Sequence, residues 1–266
     1  MRMANPTVLL AQDEPSPVIE VKAREGSSFV IVVDHASRRI PRSLGTLGLA
    51  EAELQRHIAW DIGALDVALG LASTLGAALI AQRYSRLVID CNRDPSVSTS
   101  IPLISEHTHI PGNANLGDEE RRARRSAIFE PYHQRVRSVL DARRAAGEPT
   151  ILVAQHTMTD VFKGVTRPMH AAVLYNRDPR FAHLVRDALR REPGLVVADN
   201  EPYFVSDATD YSVPEHGERR GIPHVEIEVR QDLVRDGKGQ EEWVGRIAAA
   251  LRAAEQAFRA TRQPAS

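Results

Sequence analysis

The segment Arg86-Leu87-Val88-Ile89-Asp90-Cys91-Asn92-Arg93-Asp94 constrains this chain most, because an apolar run ends abruptly in acid, amide and guanidinium groups. Runs of Leu, Val and Ile suit a pleated, buried strand. Asp, Asn and Arg cannot follow them into a core unpaired, since each needs a partner to offset its desolvation. Both demands are met by a strand over 86–90 whose polar end lies at the carboxyl rim of an open α/β sheet, where such sheets place ligands. Phe29-Val30-Ile31-Val32-Val33 repeats the pattern, running into Asp34-His35-Ala36-Ser37-Arg38. Ile151-Leu152-Val153-Ala154 does so again, running into Gln155-His156-Thr157. Three strands that deliver polar groups to one rim predict a functional site there.

The other elements fit the same sheet. Apolar residues from Leu54 to Leu71 predict one long helix over 51–75, covered on much of its surface. A strand at 78–81 joins the 86–90 strand through a tight turn. Residues 95–117 have no periodicity and hold His107 and His109; a loop of that length inside a domain is often functional. A second long helix runs from Asp118 to about Ala146, acidic at its amino end as the dipole favours, with Pro131 set to kink or divide it. Strands at 151–154, 171–175, 195–198 and 224–229 alternate with helices at 181–190 and 243–258, with a polar loop over 200–220. Residues 1–24 read as an arm with a short strand around 18–21. Residues 25–266 read as a single α/β domain, its mostly parallel (mixed) sheet flanked by helices on both faces.

Composition removes several classes of function. Basic and acidic residues nearly cancel, at 34 and 35, so no global field draws in nucleic acid or anionic membrane. The single Cys91 excludes an internal disulfide and a Cys-based zinc framework. No apolar run reaches the roughly 18 residues of a membrane span. Asp13, Glu14, Pro15 and Pro17 interrupt the first apolar segment, which lacks a signal-peptide pattern. A cytoplasmic protein is the expectation, and the sequence leaves a homo-oligomer open.

Two histidines stand out of ten, His35 and His156, because both fall at strand ends on one rim beside carboxylates. That grouping points to a divalent metal, zinc above all, held by His and carboxylate ligands with one position left for water. Asp34, Asp61 and Asp90 are the candidates for the third ligand. Asp61 is the odd residue of its predicted helix, set between Ile58, Ile62 and Leu65. Glu226 and Glu228 share one face of the 224–229 strand, opposite Val225, Ile227 and Val229. The plain alternative is an edge strand with a solvated face. The chemical reading makes Glu228, nearer the carboxyl end, a general base that later protonates a leaving amine. Arg86, Arg93 and Arg230 would then clamp a carboxylate or stabilise an oxyanion. Cys91 reads as core, and the chain has no G-x-S-x-G elbow, P-loop or G-x-G-x-x-G.

These residues resemble the N-formylglutamate amidohydrolases. The similarity runs from about Val32 to Leu233 and rests on several motifs together. They are Asp34-His35-Ala36-Ser37 with Ile40-Pro41, and His57-Ile58-Ala59-Trp60-Asp61-Ile62-Gly63-Ala64. Ser85 to Arg93, Pro131-Tyr132-His133 and His156-Thr157-Met158 follow. Asn200-Glu201-Pro202-Tyr203 and Ile227-Glu228-Val229-Arg230-Gln231-Asp232-Leu233 complete the set. The D-x-N-R element is also similar to one in the aspartoacylase and succinylglutamate desuccinylase group, which implies a zinc carboxypeptidase-like fold. The resemblance implies a metal-dependent hydrolase of an N-acyl amino acid, with His35 and His156 as ligands, Glu228 as base, and Asn92 and Arg93 on the substrate. Those relatives carry a ligating Glu three residues after the first His, where this chain has Arg38. Asp61 is the substitute expected here. The first motif is Asp-His-Ala-Ser, where the better-known N-formylglutamate amidohydrolases that the chain resembles have Pro-His-Ser-Gly. The resulting expectation is a one-metal amidohydrolase of zinc-exopeptidase type acting on a small molecule, most simply N-formyl-L-glutamate. A deacylase or peptidase on another amide, or a metal-free anion-binding module, are the alternatives.

Overall fold

Every residue of Phe29–Val33 is buried, as a β-branched run must be in the middle of a sheet covered on both sides. In the computed structural model, which describes residues 8–261, that run is β2 of a seven-stranded mixed sheet. The others are β1 (Val18–Val21), β3 (Ala78–Gln82), β4 (Ile151–Met158), β5 (Ala171–Leu174), β6 (Val197–Asp199) and β7 (His224–Arg230). Their order is β1-β3-β2-β4-β7-β5-β6. The central strands β3, β2, β4 and β7 are mutually parallel. β1 is antiparallel to β3 at one edge, so part of the expected arm belongs to the sheet. β5 and β6 are parallel to each other and antiparallel to β7.

Alternation along β2 divides the interior into two cores. Phe29, Ile31 and Val33 face α1 (Ala64–Leu75), α4 (Arg180–Leu189) and α5 (Gly237–Ala260). Val30 and Val32 face the other layer, which contains α2 (Asp118–Arg124) and α3 (Glu130–Ala145). A π-helical turn at Arg125–Phe129 joins α2 to α3 just ahead of Pro131. Proline offers no backbone donor there, so the ladder breaks where the sequence predicted. Among the described residues no helix is long and apolar enough to cross a membrane.

Two expectations fail, both beside the site. Residues 86–90 are a buried turn, not a strand. The far edge of β3 is already taken by β1, so no ladder remains for a further strand there. Side chains satisfy the turn's carbonyls: Asn113 Nδ2 donates to Leu87 O at 2.8 Å and Arg124 Nη1 to Val88 O at 3.0 Å. The long helix over 51–75 is also absent. A single turn at Glu51–Leu54 and then α1 are separated by an irregular stretch. Ser85 Oγ donates to Ala59 O at 2.7 Å and Thr157 Oγ1 to Ile62 O at 2.9 Å, pinning that stretch from outside. Gly63 ends it at φ +80°, where an added Cβ would lie 2.5 Å from Val234 O. Helical periodicity there was real; tertiary contacts overrode it.

Candidate active site

The break before α1 has a chemical consequence: it turns Asp61 into the sheet rim, where Asp61 N donates to His35 O at 2.9 Å. His35 follows β2, and His156 lies within β4, which runs four residues beyond the predicted 154. In the parallel register Glu228 of β7 stands opposite His156. These groups share a cavity of about 400 Å³ whose walls also include Arg86, Arg93, Glu226 and Tyr203.

The two imidazoles are held in the same way. His35 Nε2 lies 2.7 Å from Asp90 Oδ1, and its Nδ1 lies 3.4 Å from Asp61 Oδ2. His156 Nε2 lies 3.3 Å from Asp34 Oδ2, and its Nδ1 lies 2.8 Å from the same Asp61 oxygen. Arg86 braces the far side, with Nη1 3.3 Å from Asp61 Oδ1 and Nη2 3.0 Å from Asp90 Oδ2. Burial by itself would push every one of these charges toward neutrality. The charge partners outweigh it. Asp61 is held well below the carboxylate range by both imidazoles, and Asp34 is lowered to about 2 through His156 and His35. Asp90 is likewise lowered, by His35 and Arg86. His35 and His156 are raised, against burial, by the surrounding carboxylates.

This donor set fits a metal ion. Ionised carboxylates only accept hydrogen bonds, and each ring faces one at both nitrogens. Each imidazole must therefore carry a second proton or bind another cation. His35 Nδ1 is buried with no hydrogen-bond partner, and one ligand atom each from His35, Asp61 and His156 lie within 4.8 Å of one another. Two imidazoles and a carboxylate, each ring backed by a second carboxylate, are typical zinc chemistry. Asp34 and Asp90, the other candidates for third ligand, instead stand behind the rings. Arg38, in the place of the relatives' Glu, points out to an ion pair with Glu51.

Glu226 and Glu228 are buried in a central strand, so the solvated-edge alternative falls. Burial raises Glu228 to about 7 despite the opposing pull of His156, and Glu226 is raised well above its usual range. Both keep an unpartnered carboxylate oxygen. Cys91 is core, its thiol pushed up by burial.

Of the other predicted residues, Arg93 reaches the cavity, with Nε 3.6 Å from Asp90 Oδ2. Asn92 lines the cavity too, but its amide is committed to the adjoining loop. Its Oδ1 accepts from Tyr211 N and Ser212 N, and its Nδ2 donates to Asp210. Arg230 is the exception. Its guanidinium is clamped by Asp232 and by the carbonyls of Arg167 and Met169, outside the cavity wall. Sequence reasoning missed Tyr203 as a wall residue, although its motif was noted, and missed Arg167 behind it. No pattern singled out Arg167 among so many arginines.

A mixed sheet with a carboxylate–imidazole cluster at the carboxyl rim, beside a glutamate tuned to neutral pH, has the equipment of a hydrolase. The sequence matches the profile described as "FGase: N-formylglutamate amidohydrolase" over residues 27–235, and the chain belongs to this family of amidohydrolases. It is 35% identical to the Agrobacterium tumefaciens gene product Atu2144, with a TM-score of 0.91 over 94% of this chain and 99% of that one. An N-formylglutamate amidohydrolase from Ralstonia eutropha JMP134 shares the fold at 20% identity and a TM-score of 0.66, covering 92% of this chain and 100% of the other. No curated protein is significantly similar in sequence.

Proposed function

We propose that this amidohydrolase is metal-dependent and cleaves the amide of a small N-acyl amino acid, foremost N-formyl-L-glutamate to glutamate and formate. The observation that carries the metal is the convergence of His35 Nδ1 and His156 Nδ1 on one Asp61 oxygen, beside Glu228. His35, Asp61 and His156 would hold one divalent ion, zinc by its donor preferences. When bound, it would supply Lewis-acid polarisation of the scissile carbonyl and acidify the attacking water. Glu228, with a carboxyl pKa of about 7, can take a proton from water and return it to the leaving nitrogen. Arg86 fixes Asp61 and Asp90 and directs positive charge at the developing oxyanion. Arg93, which lines the cavity, would meet a substrate carboxylate. Family membership and a cavity of small-molecule size support the substrate class.

Metal analysis of the purified protein, with formate release from a panel of N-formyl amino acids, tests the reading. It predicts one divalent ion per chain and fastest release from N-formyl-L-glutamate. A protein that hydrolyses the panel equally well after chelation would refute the metal.

A further inference from the structure

The arginines around the cavity differ in what neutralises them. Arg86 sits between Asp61 and Asp90, Arg93 lies by Asp90, and Arg230 is clamped by Asp232. Arg167 is 6% exposed, yet no carboxylate lies within ion-pairing distance of it among the described residues. It donates to Thr159 O at 3.3 Å and to the Tyr203 phenol oxygen. Its guanidinium packs against the rings of Phe162 and Tyr203, with centroids 5.2 and 4.8 Å away. A guanidinium carries five N–H donors, so most of its capacity is unspent. A buried cation without a counter-charge is costly, unless a ligand supplies one. Thr159, Phe162 and Tyr203 all line the cavity, which puts this unmatched charge directly behind its wall.

Tyr203 completes the arrangement. Its oxygen accepts from Arg167, so its own proton is left to donate elsewhere, and the side chain is half-exposed beside the cavity. The reaction then decides which substrate group belongs here. Glu228 returns a proton to the leaving nitrogen, and the carbon bonded to that nitrogen bears the α-carboxylate. A cation for that carboxylate must lie on the Glu228 side of the cavity. Tyr203 and Glu228 line the same cavity. Of the two arginines whose charge reaches Glu228, Arg86 is committed to Asp61 and Asp90, which leaves Arg167; Arg93 braces Asp90.

We propose that Arg167 and Tyr203 form the subsite for the carboxylate next to the scissile amide, so that the enzyme selects free N-acyl α-amino acids over their α-amides and over internal peptide bonds. The proposal rests on the amidohydrolase reading above. Planar, bidentate donation by Arg suits a carboxylate better than the point charge of Lys.

The test compares N-formyl-L-glutamate with its α-amide in wild type, R167Q, R167K and Y203F, all metal-loaded. R167Q should lose about 10–100-fold more in kcat/KM on the free acid than on the α-amide, chiefly through KM. R167K should fall between it and wild type. An unchanged preference in R167Q would overturn the proposal. If R167Q does not fold, R167K and Y203F decide, and Y203F removes only a hydroxyl; both must narrow the preference. If wild type releases no formate from either compound, the substrate reading fails. The subsite is then judged by calorimetry of L-glutamate against its α-amide. Tighter binding of the free acid by wild type but not by R167Q supports it, and equal or absent binding overturns it.

Discussion

Two buried histidine pairs in this molecule have ring centroids 5.1 Å apart, and they are in opposite states. His35 and His156 face carboxylates at both ring nitrogens, and both are raised. His133 and His216 lie among Phe129, Tyr132 and Tyr211. There burial wins: His133 falls to about 4 and His216 well below its ordinary value. Hydrogen bonding fixes their tautomers. His133 Nε2 meets the Cys91 carbonyl at 2.8 Å, which can only accept, so that nitrogen carries the proton. His133 Nδ1 must then accept, 2.9 Å from His216 Nε2, which donates. One proton per ring accounts for the hydrogen bonds of the second pair, whereas each ring of the first needs a second proton or another cation. Burial is common to both, so the number of facing carboxylates makes the difference.

The largest expected effect breaks the comparison outright. H35A and H156A should each lose stoichiometric metal, measured by elemental analysis, and lose hydrolysis beyond detection. H133N should keep both. If both site variants retain metal, or if H133N loses it as readily, the pairs are not distinguished in this way. Next comes E228Q, which keeps shape but cannot accept a proton at neutral pH; formate release should fall by about 10²–10⁴-fold with normal metal content. Lost metal in E228Q would instead make Glu228 a ligand. Near-normal turnover would move the base elsewhere, to Glu226 first.

Much of this site was legible because its donors sit in short motifs at strand ends, and three of the polar rims expected from apolar runs formed at β2, β4 and the 86–94 turn. The strand assigned to 86–90 was wrong, yet its polar end still reached the rim. Apolar character reports burial, and only the free edges of a sheet decide whether a buried run becomes a strand. The helix break before α1 was hidden for a related reason. Its cause lies in Ser85, Thr157 and Val234, far away in sequence. Asp61 was picked out because it violated the helix pattern, and the violation marks a place where tertiary contacts override local preference. Arg167 had no such mark, since only its missing partner distinguishes it.

The pairs should also respond to acid with opposite signs. A histidine whose folded pKa is depressed leaves the unfolded chain holding the extra proton as pH falls below 6.5. Stability from His133 is therefore complete above 6.5 and is lost as pH drops toward 4, on the order of 3 kcal/mol. The raised His35 and His156 contribute oppositely in the metal-free protein: fully below 6.5, with loss as pH rises through their folded values. Asp34, lowered to about 2, loses its contribution only as pH falls below its ordinary 3.8, outside the His133 window. Between pH 4 and 6.5 the depressed His133 and His216 work against the raised Glu226 and Glu228, whose stabilisation is lost as pH rises. Urea denaturation of metal-free protein therefore tests His133 by difference: H133N should make the net slope of stability with pH less positive than in wild type. Equal slopes would remove His133 as the cause.

The smallest effect sharpens the comparison, because it moves one pair part of the way toward the other. Asp90→Asn takes one carboxylate from His35 Nε2 and puts a neutral acceptor in its place, much as the Cys91 carbonyl serves His133. The ring keeps its orientation and loses part of its electron donation toward Nδ1. Substitutions behind a ligand of this kind typically cost about 10–100-fold in metal affinity or activity. If Asp90 acts through His35, excess metal should restore most of the activity of D90N, and the variant's metal affinity should account for the remainder. Arg86 complicates the outcome in a readable way. It loses one of two carboxylate partners and is left leaning on Asp61 alone. A D90N protein that binds metal normally but stays slow at saturating metal would assign Asp90 to holding Arg86 at the oxyanion position, and His35 would owe its state to Asp61.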